Sequence, residues 1–311
     1  MAKAIEIVYL TRVEGANLNA AGTEGVISIL KKTTDIDGKE YIRISGQSVK
    51  FQIRKIWEDE GVTISPVQSR SETGGKVIIS EGDPVSYIDD DLFGYMIETR
   101  QREESRKRTA AVRTNGMISL FPYQGDRDFA VRYDPQDPTG QHNIYEVEVT
   151  TNVMRGNFFI ELDRVGKFES YELKEKPKDG KVLPKDERER RIKLLFDAIF
   201  HYFGGAHLSN YFTKTYPELM VVVVLKRKLP IIGDKLTLNG KDGSGRLILS
   251  LPDLKEVFDT FDDSIEEVLI GGFETSFGNW KEIEGLSEGK IKVLSMKDLR
   301  KRVEEKKFIE S

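Results

Sequence analysis

Residues 39–57, KEYIRISGQSVKFQIRKIW, hand a strand directly to a helix. Residues 39–44 alternate apolar and polar side chains at the two-residue period of a strand. Ser45 then offers a hydroxyl cap, and Val49, Ile53, Ile56 and Trp57 fall at i, i+4, i+7 and i+8, the apolar stripe of a helix ending near Gly61. Gln47, Lys50 and Arg54, at i, i+3 and i+7, share another face of that helix, beside the free N–H groups of its first turn. A phosphate-binding face and an ordinary solvated surface both account for that spacing.

Upstream, residues 4–10 (AIEIVYL) read as a strand, followed by a polar loop over 11–25 that carries Asn17 and Asn19. Residues 26–32 form a second strand, joined to 39–44 by a hairpin around Asp35 and Asp37. Downstream, 63–85 is a Ser/Gly/Thr-rich excursion, and 88–96 is a short helix entered through Asp89, Asp90 and Asp91, which suit a helix start electrostatically. The run 100–108 mixes basic residues with glutamates. Strands are predicted at 117–121, 144–150 and 157–162, with a loop at 134–140. After a polar connector, Ile192, Leu195, Phe196, Ile199, Phe200 and Phe203 mark the strongest helix, stopped by Gly204-Gly205. Residues 219–225 (LMVVVVL) read as a buried central strand, and helices follow at 252–261 and 299–307, the last capped from Ser295.

The chain has 311 residues, with 48 Lys and Arg against 52 Asp and Glu. Residues 252–311 hold 10 of the basic and 15 of the acidic groups, so any nucleic-acid site is a local patch within 1–251. The longest apolar run is too short to span a membrane, and the amino terminus lacks a signal peptide, so the expectation is a cytoplasmic chain with no membrane partner. Zero cysteines exclude disulfides, thiol nucleophiles and cysteine metal sites. Phosphate-loop, dinucleotide, nucleophile-elbow and zincin motifs are all absent, which leaves no catalytic residue to name. His142, His201 and His207 are scattered, and Asp35, Asp37, Asp89–Asp91 and Asp262-Asp263 read as turns or a helix start, so no metal site and no cofactor are expected.

Taken in order, Asn17-Leu18-Asn19, Arg-x-Ser-Gly-Gln-Ser-x-Lys (43–50), Asp-Leu-Phe-Gly-Tyr-Met (91–96) and Phe-Gly-Gly-Ala (203–206) resemble the backbone subunit of type I CRISPR surveillance complexes (Cascade). Within that RAMP superfamily the chain is similar to the DevR-like subfamily of subtype I-B, over roughly residues 1–230. The resemblance implies an α+β fold with an RNA-recognition-like (ferredoxin-like) palm, a fingers insertion and a thumb-like excursion. It divides the chain into 1–62 (first part of the palm), 63–118 (fingers), 119–183 (β-rich excursion and return strands), 184–251 (rest of the palm with a thumb-like loop) and 252–311 (acidic extension).

The resemblance also implies a non-catalytic subunit that polymerises along a CRISPR RNA (crRNA) as a helical filament. Its partners would be crRNA, target DNA through the crRNA duplex, further copies of itself and other Cascade subunits. The RNA-binding residues carried over are Asn17, Asn19, Arg43, Ser45, Gln47, Ser48, Lys50, Arg54, Gly204, Gly205, Ala206, His207 and Ser209. One departure is Ala20-Ala21, where relatives often place a basic residue after Asn-Leu-Asn. Two alternatives stand beside this reading: a metal-dependent ribonuclease using Asp35 or Asp37, and a regulator acting alone.

Overall fold

Strand β1 (Ala4–Ala16) turns Ile5, Ile7 and Tyr9 to one side and Val8 and Leu10 to the other, all inaccessible to solvent, so it lies inside the molecule on both faces. The computed structural model describes residues 2–72, 75–97, 105–132, 143–206 and 214–309. From β1 the chain passes through β2 (Ala20–Glu24), β3 (Ile27–Leu30), β4 (Lys32–Thr34) and β5 (Glu40–Ser45) into α1 (Gly46–Asp59). The hairpin β6 (Val67–Glu72) and β7 (Gly75–Ser80) precedes α2 (Ile88–Phe93), β8 (Tyr95–Ile97), β9 (Arg106–Arg108) and β10 (Val112–Ser119). Next come β11 (Arg127–Arg132), β12 (Asn143–Glu148), the long β13 (Thr150–Glu161), the short β14 (Lys167–Phe168) and β15 (Lys181–Val182), and α3 (Lys185–Phe200). β16 (Leu219–Leu225), β17 (Leu238–Lys241), β18 (Leu247–Leu249), α4 (Pro252–Thr260), β19 (Ile265–Gly272), α5 (Trp280–Glu284), β20 (Ile291–Ser295) and α6 (Met296–Glu305) complete the chain.

Eight strands form the main sheet in the order β20-β19-β16-β1-β13-β10-β5-β4, antiparallel except for β19 with β20. One face is covered by α1, α3 and α6, where Val49, Ile53 and Trp57 meet Ile7, Ile192, Phe196 and Leu299 in a single apolar cluster. Burial of Val49 and Ile53 contributes about 1.5–3 kcal/mol each. On the second face, Leu254, Phe277 and Ile283 from the last third cover β16 and β19, while the β13-β10-β5 half borders an open groove. A smaller sheet, β11-β12-β3-β2, stands apart from the main one.

The strand-to-helix reading holds: the Ser45 hydroxyl accepts from Ser48 N at 3.3 Å, and α1 runs from Gly46 to Asp59. So does LMVVVVL, whose seven residues are buried on both faces as β16. Three expectations are corrected. The polar loop begins later than expected, because Thr11, Arg12 and Val13 continue β1 against Met154, Val153 and Asn152, and residues 20–24 form β2. The strand over 26–32 breaks at Lys31, whose N–H goes to Asn19 O, leaving β3 in the small sheet and β4 in the main one. Helix α3 ends at Phe200, and Phe203 is 41% exposed rather than part of the stripe. Within residues 252–311, β19 pairs with β16 along its length and β20 extends the same sheet. The expected loop at 134–140 lies outside the described residues.

Candidate nucleic-acid interface

The polar blocks singled out in the sequence converge on α1. Gly46 opens the helix where a Cβ would stand 2.4 Å from Thr114 O, so β10 closes on the strand-to-helix junction only because no side chain is there. Ala206 N donates to Asn17 O at 2.9 Å, and Gly204 packs so closely on Gln52 of α1 that a Cβ would meet its Cγ at 2.6 Å. The Thr215 hydroxyl accepts from Gly204 N at 3.0 Å and fixes the far side of that loop. Asn19 Nδ2 reaches Arg43 O at 3.4 Å, tying the first loop to β5.

Within this cluster the residues contribute differently. Asn17 is buried and gives its Nδ2 to Glu148 O at 2.9 Å, so it holds the loop in place, whereas Asn19 is partly exposed. Ser45 spends its hydroxyl on the helix cap, Ser48 is half-buried, and Gln47 and Arg43 are exposed. Gly205 and Ala206 are half-buried backbone beside Asn17. His207 and Ser209 lie outside the described residues.

Lys50 and Arg54 stand on the opposite flank of α1 from Gln52. The Lys50 ammonium lies 5.5 Å and the Arg54 guanidinium 5.1 Å from the centre of the Phe93 ring. Burial, reinforced by the neighbouring Arg54 charge, pushes the Lys50 amine below the usual lysine range. Two cations over one ring are drawn to an anion that would neutralise both. Arg54 is already partly committed, since its Nε donates to Asp89 Oδ2 at 2.8 Å.

The three aspartates read as a helix start do far more than favour a dipole. Asp89 also takes Ser65 N at 2.8 Å, and Asp90 takes Asp83 N at 2.9 Å. Asp91, wholly buried, binds Arg108 Nη2 at 2.6 Å and Arg191 Nη1 at 2.8 Å. Arg108 in turn bonds Glu172 Oε2 at 2.8 Å and lies over Phe168. The Asp-Leu-Phe-Gly-Tyr-Met block is therefore an ionic anchor that fastens the 63–108 excursion to α1 and α3, and the three arginines come from sequence positions too distant for spacing to signal.

The aspartates of the hairpin at 35–38 sit in an exposed turn, where a hydrogen bond from Lys39 holds the Asp37 carboxyl below its usual range. Glu60, Asp197 and His201 bring one ligand atom each within 4.8 Å of one another, yet Arg300 Nη2 already occupies Asp197 at 3.1 Å.

Strand alternation places Arg43 beside two basic residues, Arg113 and Arg155, that sequence reading missed. Arg43, Arg113 and Arg155 line a groove of about 710 Å³ on the second sheet face, and Arg43 alternates with the apolar Ile42 and Ile44. That alternation was the available signal.

Among proteins of known family, residues 7–233 match the family described as CRISPR-associated negative auto-regulator DevR/Csa2. A relative from Myxococcus xanthus (strain DK1622), described as CRISPR-associated protein Cas7/Cst2/DevR, is 26% identical over 157 residues, 43% of this chain. The match takes in 47% of that relative, so the chain spans about half the length of the curated relative it matches. A solved chain of a "CRISPR RNA-guided surveillance complex, pre-nicking" shares the fold with a TM-score of 0.58 at 12% identity, over 97% of this chain and 99% of that one. Another, from a "CRISPR RNA-guided surveillance complex", gives 0.55 at 16% identity over 87% and 89%.

Proposed function

The chain belongs to the DevR/Csa2 family of CRISPR-associated proteins, and from that premise we propose that it is a non-catalytic, crRNA-binding backbone subunit of a surveillance complex of the subtype I-B kind. The observation that carries the proposal is the meeting of four separated blocks at α1: Asn17 with Ala206, Asn19 with Arg43, Gly204 with Gln52, and Lys50 with Arg54 over Phe93. Backbone N–H groups at the helix start and two cations on its flank suit phosphate oxygens and ignore base identity, as a guide of variable sequence requires.

The strands that follow and precede the two long helices support an RNA-recognition-like palm. β1, β10, β13 and β16, with α1 after the first and α3 before the last, lie in the order β16-β1-β13-β10, all antiparallel, with both helices on one face. The fingers, expected over 63–118, are then the part of that span before β10 (Val112–Ser119), and Gly204 stands where the chain leads towards the thumb-like loop. Copies of the chain line up along the guide in the cytoplasm, beside other subunits, and present it for pairing with target DNA.

The test is the complex purified with its native partners, carrying Gln47→Ala and Lys50→Ala together. The expected outcome is assembly with guide RNA reduced at least several-fold. Full guide retention contradicts the proposal, and recovery of the wild-type chain as a free, RNA-free monomer favours the stand-alone regulator.

A further inference from the structure

The second face of the main sheet holds an arrangement that, the Arg43 backbone apart, guide binding at α1 does not use. Leu10 of β1, Arg155 of β13, Ile118 of β10 and Arg43 of β5 stand directly opposite one another in a single cross-strand row. Arg12 lies two residues along β1 from Leu10 and so projects from the same face. With strands about 4.8 Å apart, Arg155 and Arg43 are about 10 Å apart, and Arg12 is diagonal to Arg155 at about 7–8 Å.

Charge accounting singles these three out. Arg113 and Lys228 on the same face share the Glu161 carboxylate, and Arg246 is paired with Asp242. Among the described residues Arg12, Arg43 and Arg155 form no ion pair. Arg12 gives Nη2 to Gly245 O at 3.3 Å, and Arg155 gives Nη1 to the carbonyls of Asp234 and Leu236, each using one nitrogen of the fork. The arginines border concave surface, the groove around Arg43 and Arg155 and a pocket of about 280 Å³ that Arg12 lines with Ser244, Ser276 and the paired Lys214 and Glu218.

We propose that this face is a second phosphate track, on which Arg12, Arg155 and Arg43 hold the sugar-phosphate backbone of single-stranded nucleic acid. Arginine forks bind phosphate in two-point fashion, and a file of them reads no bases. The strand held is either a part of the guide or a strand paired with or displaced by it, and both offer the same phosphodiester.

The test uses the full chain with a labelled oligouridylate, its affinity followed against salt concentration. Arg12→Ala with Arg155→Ala is expected to weaken binding several-fold and to lower the salt slope by about 1.4, two single-strand contacts' worth. Arg12→Ala alone, which leaves the loop carbonyls of Asp234 and Leu236 capped, is expected to lower it by about 0.7. Unchanged slopes in both variants, with Lys50→Ala still weakening binding, overturn this inference and leave the α1 proposal standing; the reverse pattern supports the track and counts against α1. In the assembled complex, loss of guide RNA from the double variant assigns the track to the guide, and loss of complementary-strand capture with guide retained assigns it to the second strand.

Discussion

Arg54 of α1 donates its Nε to Asp89 Oδ2 of α2 at 2.8 Å while its guanidinium lies over Phe93, four residues further along the same α2 segment. This one contact joins the two most distinctive blocks of the sequence, the strand-to-helix junction and Asp-Leu-Phe-Gly-Tyr-Met. It orients a cation on the face proposed to meet the guide, and it anchors the 63–108 excursion to the sheet.

Substituting Asp89→Asn removes that charge-assisted bond and weakens the one from Ser65 N. The expected cost is about 2 kcal/mol of stability, read from the urea midpoint at unchanged slope. A loss below about 0.5 kcal/mol would mean that Arg54 is held by Phe93 alone.

Asp91 is buried like Asp89, but both of its arginines are buried too, whereas Arg54 is partly exposed. Asp91→Asn leaves Arg108 and Arg191 partly uncompensated and is expected to destabilise by about 3–5 kcal/mol in chemical denaturation. Near-wild-type stability would show that Glu172 and Glu187 suffice as counter-ions.

Gly94 combines a φ of +73° with a Cβ position 2.4 Å from Arg108 O, whereas Gly61, at φ +77°, has nothing within 4 Å. Gly61→Ala is expected to cost only the left-handed backbone term, about 1–2 kcal/mol. Gly94→Ala must cost more, because β9 has to move as well, and equal losses in thermal unfolding would refute the close-approach argument.

Glu267 takes Lys306, Arg302 and Lys292. Burial pushes its carboxyl up, but the hydrogen bonds from these three cations outweigh burial and hold it at about 2, against 4.5 for a free glutamate. The folded state therefore binds fewer protons than the unfolded one between those values, so this contribution is full above pH 4.5 and fades as pH falls towards 2. Glu267→Gln is expected to flatten the stability profile across that window, and a profile parallel to wild type would contradict the assignment.

What the sequence made legible follows from where each interaction lies along the chain. The α1 stripe, its Ser45 cap, the α3 periodicity and the β16 run are local patterns, and each is found in place. β1 beyond Leu10 was hidden because Thr11 and Arg12 look like loop residues, and only their pairing with β13, some 140 residues away, makes them strand. Asp91 was read by its neighbours as a helix start, although its partners Arg108 and Arg191 are 17 and 100 residues distant. Of the candidate site, the junction at 43–54 was visible as a strand-to-helix handover with a polar face; that Gly204 packs on it and Asn19 bonds to it is a property of the folded sheet.

The most direct measurement is ultraviolet crosslinking of the complex purified with its native partners, with the modified peptides of this chain read by mass spectrometry. Crosslinks to repeat-flanked guide RNA concentrated on residues 17–19, 43–54 and 204–206 are the predicted result. A particle without RNA, or guide crosslinks confined to surfaces away from α1, would contradict the account.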